Sequence, residues 1–118
     1  MKDLKELFRE RLNSNKDSSN LLAKLRCMCI INPIINDDNI SSYKIGKTNQ
    51  KLSERFDSEY QNDYDDIKLI YESKDTDLID WLEKELIELY RYKPKCDNKQ
   101  LGGGPDGATR IYIVIKYK

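Results

Sequence analysis

One glutamate lies within the apolar face of the helix that the sequence predicts from about Leu78 to Tyr92. Drawn at about 100° per residue, this helix collects its leucine, isoleucine and tyrosine side chains on one side. Glu83 falls among them, between Tyr90 and Ile87. A carboxylate in such a position is costly unless a cation, a metal ion or a hydrogen bond compensates its charge. Glu83 is therefore the first candidate functional residue; the alternative is a glutamate at the rim of the stripe that pairs with a nearby lysine.

The chain of 118 residues contains no histidine, which restricts the chemistry available around Glu83. Ser-His-Asp catalysis, Cys-His catalysis and His-ligated metal sites are excluded. Any reaction must use carboxylate, lysine, arginine, tyrosine, cysteine or serine. Cys27, Cys29 and Cys96 are odd in number, and without a secretion signal we expect reduced thiols. Together with Asp97 they can in principle ligate zinc, but the C-x-C spacing is uncommon, and the alternative is that they are small buried side chains on a strand.

A pattern of four segments, in fixed order, surrounds Glu83. The segments are Tyr43-Lys44-Ile45-Gly46-Lys47-Thr48, Leu52-x-x-Arg55-Phe56, Leu82-Glu83-x-x-Leu86-Ile87, and Pro94 followed by Asn98. Over about residues 26–101 this pattern resembles the GIY-YIG nuclease superfamily. Lys44-Ile45-Gly46 stands where the family has its second signature triplet, Tyr-Ile-Gly, and some members carry lysine there. The first triplet, Gly-Ile-Tyr, has no counterpart on the strand predicted at 26–34, and its tyrosine is the usual candidate for activating water.

The resemblance implies a metal-dependent DNA endonuclease that hydrolyses phosphodiester bonds with Mg²⁺ or Mn²⁺. Glu83 would hold the ion, since Mg²⁺ accepts few protein carboxylates and keeps several waters. Arg55 would grip the scissile phosphate through its planar fork. Lys44 would orient the attacking water or act as its base. Tyr43 is a weaker catalytic candidate, because alternation along a strand turns it to the face opposite Lys44.

Contacts to DNA are expected from the segment after the glycine and from the loop after the long helix. The residues expected to make them are Lys47, Thr48, Arg55 and Asn98, although Asn98 is expected chiefly to hold its loop. A homodimer or a protein partner would supply sequence specificity. The alternative function is a catalytically inactive GIY-YIG-like module that binds nucleic acid or protein, because the first triplet is missing. A third alternative is an unrelated α+β domain.

The formal net charge is zero, with 21 basic and 21 acidic side chains, but the charges are unevenly placed. Residues 56–90 carry three basic and twelve acidic groups, a net −9, whereas residues 91–118 carry +5 and residues 1–26 carry +3. Neutrality argues against coating nucleic acid by bulk electrostatics. For a nuclease, we expect basic groups to ring the face of Glu83 and acidic groups to turn away.

Periodicity and turn residues predict a small α+β domain over residues 1–118, with an antiparallel sheet of about three to four strands flanked by helices. Residues 1–25 form an N-terminal helix and loop, 26–101 the family-like core, and 102–118 a loop and C-terminal strand. The predicted helices cover 1–12, a segment after Thr48 and Asn49 that includes Leu52 to Glu59, and 78–92; the predicted strands cover 26–34, 40–46, 67–72 and 111–117, the first two as a hairpin.

The sequence shows no apolar run near the roughly 20 residues that a membrane span needs. It also shows no signal peptide at its start. We therefore expect an intracellular protein, in the cytoplasm or nucleus, with no membrane association and no secretion.

Overall fold

The structure is a computed structural model that describes residues 15–100 and 105–118. It is an α+β fold with a three-stranded antiparallel sheet, which confirms the predicted fold class. The elements in chain order are α1 (Asn15–Ile35), β1 (Ile40–Thr48), α2 (Leu52–Arg55) continued by a π-helical turn (Phe56–Tyr60), β2 (Asp66–Glu72), α3 (Thr76–Tyr90) and β3 (Arg110–Tyr117).

The last strand in the chain lies at the centre of the sheet. The strand order is β1-β3-β2, and both neighbours run antiparallel to β3. All residues from Ile111 to Ile115 are buried, as expected for a central strand covered on both faces. Because β1 and β2 do not pair with each other, the sheet depends on β3.

The predicted strand at 26–34 is wrong, and the hairpin that it would form with 40–46 is therefore wrong too. These residues belong to α1, which buries Ala23, Cys27 and Ile31 against the core. Burial at every fourth position is the spacing of a helix face, not the alternation of a strand. Pro33 lies in the last turn of α1, where it disturbs only the end of the helix.

Three smaller predictions concern the residues before and at the start of α1 and the residues just before α2. The predicted loop at 13–20 is wrong from Asn15 onward, where α1 has already begun. The predicted helix at 1–12 lies outside the described residues. Thr48 and Asn49 are residue types that commonly cap a following helix, but neither caps α2, because Thr48 ends β1 and the residue before the helix is Lys51.

The two faces of the sheet carry different cores. On one face α1 packs against α3 and β2, and α3 packs against β1 and β3; Cys27, Leu82 and Ile113 are fully buried there. On the other face the π-helical turn covers β3, and Tyr60 packs with Tyr112 and Val114. Since β1 is an edge strand, a cavity beside it can receive side chains from both faces.

The long helix that carries Glu83 agrees closely with its prediction. It spans Thr76–Tyr90, and the Asp75 side chain accepts a hydrogen bond from the Leu78 amide at 3.1 Å, which caps the first turn. None of the helices in the described ranges has the length and apolar character that a membrane span requires.

Candidate functional site

The predicted site residues Lys44, Arg55 and Glu83 line one cavity of about 450 Å³. Lys44 comes from β1, Arg55 from α2 and Glu83 from α3. The cavity spans the free edge of β1, so it collects groups from both faces of the sheet. Its walls also include Gly46, Lys47, Glu59, Tyr60, Asp97, Asn98, Lys99 and Tyr112.

Glu83 is a buried carboxylate with an unused acceptor. The residue is 2% exposed, and its Oε1 atom has no hydrogen-bond partner among the described residues. Burial raises the pKa of Glu83 above its ordinary value, while the positive charge of Lys47 acts in the opposite direction. The position of Glu83 among apolar residues of the helix, predicted from the sequence, therefore corresponds to a carboxylate that is buried in the structure.

A lysine already stands next to this carboxylate. The Lys47 ammonium lies 2.7 Å from Asp80 Oδ1 and 4.0 Å from Glu83 Oε1, and Lys47 is 7% exposed. Lys47 is thus engaged by carboxylates inside the cavity wall, so it is not presented to DNA as an exposed cation. This arrangement resembles the lysine-paired alternative for Glu83, but the lysine comes from β1 and the glutamate is not at a rim.

Arg55 faces two tyrosines on the other side of the cavity. Its Nε donates to the Tyr112 hydroxyl at 3.4 Å, and the hydroxyls of Tyr112 and Tyr60 are 2.6 Å apart. Burial is the largest cause that raises the pKa of Tyr112, and the hydrogen bond with Tyr60 adds to it. The Tyr112 phenol is therefore protonated at neutral pH. Lys44 extends toward the same group, with its ammonium 5.9 Å from the Tyr60 ring centroid.

Gly46 leaves the space that Tyr112 occupies. The two residues are paired across β1 and β3. A Cβ atom on Gly46 would collide with the ring and hydroxyl of Tyr112. The glycine therefore serves a close approach within the sheet, not a turn at the end of a strand.

Tyr112 and Tyr60 are the site residues that the sequence reading missed. The sequence signal for Tyr112 is the dipeptide Ile111-Tyr112, which matches the last two residues of the Gly-Ile-Tyr triplet. The resemblance places the tyrosine of that triplet on the strand predicted at 26–34, before Lys44. In the structure, a tyrosine reaches the cavity from β3 instead, which pairs with β1. Tyr60 carried no comparable signal, because acidic neighbours surround it in sequence.

The structure does not bring Tyr43 or Thr48 into the cavity. Tyr43 is fully buried in the core on the opposite face of β1, as its alternation with Lys44 indicated. Thr48 is also fully buried, and its hydroxyl accepts from the Gln50 amide at 3.0 Å. Thr48 therefore stabilises the turn after β1, and a direct contact between its side chain and DNA is not available.

Asn98 holds the loop after α3 against the edge of β1. Its side chain accepts from the Ile45 amide and donates to the Ile45 carbonyl, both at 2.8 Å. Next to it, the Tyr43 amide donates to the Lys95 carbonyl at 2.9 Å, and the Asp97 amide donates to the Tyr43 carbonyl at 2.8 Å. The loop thus satisfies the unpaired groups of the edge strand and forms one wall of the cavity.

The charges around the cavity follow the predicted polarity only in part. Its basic side chains are Lys44, Lys47, Arg55 and Lys99, and its acidic ones are Glu59, Glu83 and Asp97. Acidic groups are therefore not all turned away, and Glu59 lies within 3.7 Å of the Arg55 guanidinium. Basic and acidic side chains are therefore interspersed around the cavity.

The residues present fit a divalent ion that keeps most of its water. Across residues 15–100 and 105–118, no group of three or more Cys, Asp or Glu side chains is placed to hold a metal. Cys27 is buried within the core and Cys29 is exposed, so the zinc alternative has no common centre. Glu83, however, lines the polar cavity, and its Oε1 atom is buried there without a hydrogen-bond partner among the described residues. One carboxylate plus water is a mode in which Mg²⁺ binds proteins.

Comparisons with family models, with curated proteins and with solved structures found no match to this chain.

Proposed function

We propose that the protein is a metal-dependent endonuclease that hydrolyses phosphodiester bonds in DNA. The observation that carries the proposal is the buried Glu83 carboxylate, which faces Arg55, Lys44 and Tyr112 across one cavity. The resemblance of the surrounding segments to GIY-YIG nucleases supports the same conclusion independently of the geometry.

Each cavity residue has a defined task in this reaction. Arg55 binds the non-bridging oxygens of the phosphate and stabilises the charge that grows on them. Lys44 and Tyr112 supply donors to the attacking water and to the departing oxygen. The departing oxygen gains a proton when its bond to phosphorus breaks, and the proton that the attacking water loses passes to solvent in the cavity. Glu83 would hold Mg²⁺ or Mn²⁺, and the bound ion would neutralise phosphate charge and polarise the phosphoryl group.

Tyr112 acts in this reaction as a hydrogen-bond donor, with the Tyr60 hydroxyl then donating to Tyr112 across their 2.6 Å contact. Its hydroxyl accepts from Arg55, which orients the phenol, and the raised pKa keeps its proton in place at neutral pH. Tyr112 therefore occupies the role for which the sequence offered no tyrosine at 26–34.

The second candidate function is a module that binds nucleic acid without cleaving it. Lys47 favours this candidate, because its ammonium already compensates part of the charge of Glu83. In that case the carboxylate would be part of a structural ion pair and no metal would be needed.

A plasmid-nicking assay with Mg²⁺ or Mn²⁺ separates the two candidates. We expect the wild type to convert supercoiled plasmid to nicked or linear product, and Glu83→Gln to reduce the rate at least 100-fold. Glu88→Gln is the matched control, because Glu88 is an exposed glutamate on the same helix, and it should cleave at the wild-type rate.

Thermal melts of all three proteins show whether the folds are comparable. No cleavage by the wild type, or equal cleavage by the wild type and Glu83→Gln, would contradict the endonuclease proposal.

A further inference from the structure

Asp80 and Glu83 are two carboxylates on α3 that contact the same lysine. They are three residues apart, which places them on the same side of the helix. Lys47 reaches them from β1, with its ammonium 2.7 Å from Asp80 Oδ1 and 4.0 Å from Glu83 Oε1. The three groups together carry a net charge of −1 when all are ionised.

A second observation points to a cation beyond the lysine. Glu83 is 2% exposed, lines the cavity, and leaves its Oε1 atom without a hydrogen bond in the part of the chain that the structure describes. Lys47 binds Asp80 closely and leaves Glu83 at the longer distance. Glu83 Oε1 is therefore a buried acceptor that Lys47 compensates only at the longer distance and that a divalent ion would partner once the side chain turns toward the cavity, whereas Asp80 is already paired with Lys47.

We propose that Lys47 is an internal cation that engages Asp80 and so limits the affinity of the cavity for a divalent ion to that of a one-carboxylate site. The inference rests on the proposed function, in that the ion is the one that phosphodiester cleavage uses. In the metal-free protein Lys47 also offsets the charge of Glu83, whose burial alone would be destabilising.

Removal of the lysine charge has two consequences for an incoming ion. The dication no longer meets a positive charge at close range, and Asp80 becomes free to act as a second ligand. Lys47→Met keeps most of the length and the apolar stem of the side chain, so the cavity wall is retained. We expect Lys47→Met to bind Mn²⁺ at least tenfold more tightly than the wild type.

The experiment is a titration of the full chain with Mn²⁺, followed by electron paramagnetic resonance, without DNA. Lys47→Met/Asp80→Asn should return to within about threefold of the wild-type affinity, because the second ligand is lost. Lys84→Met is the matched control, since Lys84 is an exposed lysine beside Glu83 on α3, and it should change the affinity less than twofold. Equal or weaker binding by Lys47→Met, or tightening that persists in the double variant, overturns the inference.

Stability provides a second measurement that keeps the test decisive. Metal-free Lys47→Met should melt at a lower temperature than the wild type, and Mn²⁺ should raise its melting temperature more than that of the wild type. If the metal-free variant is unfolded, Mn²⁺ should fold it; a variant that stays unfolded in millimolar Mn²⁺ contradicts the inference.

The two proposals fail in different ways. Tight Mn²⁺ binding by Lys47→Met with no plasmid cleavage by the wild type supports the cation site and contradicts the nuclease. Cleavage by the wild type with no tightening in Lys47→Met contradicts only the role of Lys47.

Discussion

The contact between Gly46 and Tyr112 determines whether the cavity can form. Any side chain at Gly46 would overlap the Tyr112 ring, which Arg55 and Tyr60 hold from the other side. The phenol can therefore yield only by breaking its hydrogen bonds. A methyl group added at position 46 would therefore displace Tyr112 on the neighbouring strand.

We expect Gly46→Ala to lower the free energy of unfolding by about 1–3 kcal/mol, as overpacking commonly does, and to slow plasmid cleavage at least tenfold. Urea denaturation and the nicking assay measure the two effects.

The control is a double-mutant cycle with Tyr112→Leu, whose shorter side chain removes the overlap. Gly46→Ala should cost less stability in that background than in the wild type. An equal cost in both backgrounds would show that the overlap with Tyr112 is not the cause.

The candidate site could be predicted from sequence only where its residues follow local rules. Glu83 was found because helical periodicity reports burial within a single element. Lys44 was found through the resemblance of its segment to a family motif. Tyr112 was not found, because its position opposite Gly46 depends on the register between two strands that are distant in the chain.

At the level of elements, the loop after α3 is fixed by Asn98 to the edge of β1. The side chain satisfies both backbone groups of Ile45, in the way that a neighbouring strand would. Asn98→Ala would leave a buried amide and carbonyl without partners.

We expect Asn98→Ala to lower the free energy of unfolding by about 1–3 kcal/mol, which is the usual cost of buried polar groups left unpaired. Hydrogen exchange of the Ile45 amide should become faster, while exchange in the centre of β3 should follow only the global change. Asn49→Ala, at an exposed position after the same strand, should change stability by less than about 0.5 kcal/mol. Unchanged exchange at Ile45 would contradict this role of Asn98.

The elements differ in how well their sequences predict them. The pattern of α3 gave its bounds within two residues at each end, because its apolar stripe and its Asp75 cap agree. Residues 26–34 resemble a strand because they form a short apolar segment that ends near Pro33. Ala23, Cys27 and Ile31 have the four-residue spacing of a buried helix face. Ala23 lies outside residues 26–34, so this spacing is not visible within that segment alone.

On the scale of the whole molecule, global unfolding exposes a thiol that the fold keeps neutral. Cys27 is fully buried on the side of α1 that faces the core, and burial raises the pKa of its thiol from 9.0 to about 11. A raised pKa means that the folded state holds the thiol proton more strongly than the unfolded state. The corresponding stability is fully present below pH 9 and is lost as the pH rises through about 11.

Between pH 8 and pH 10 we expect this thiol to lower the free energy of unfolding by about 1 kcal/mol. Cys27→Ala should show a pH dependence smaller by that amount, measured by urea denaturation at both pH values. Cys29→Ala should retain the wild-type dependence, because Cys29 is exposed on the same helix. Identical pH dependences for the wild type and Cys27→Ala would refute the assignment.

The central place of β3 also bears on how the protein is made. While a ribosome synthesises the chain, β1 and β2 emerge first, and neither has a partner strand until residues 110–117 follow. The cavity likewise lacks Tyr112 until that moment. A nascent chain that has not reached residue 117 therefore holds Lys44, Arg55 and Glu83 without the strand that contributes Tyr112 to their cavity.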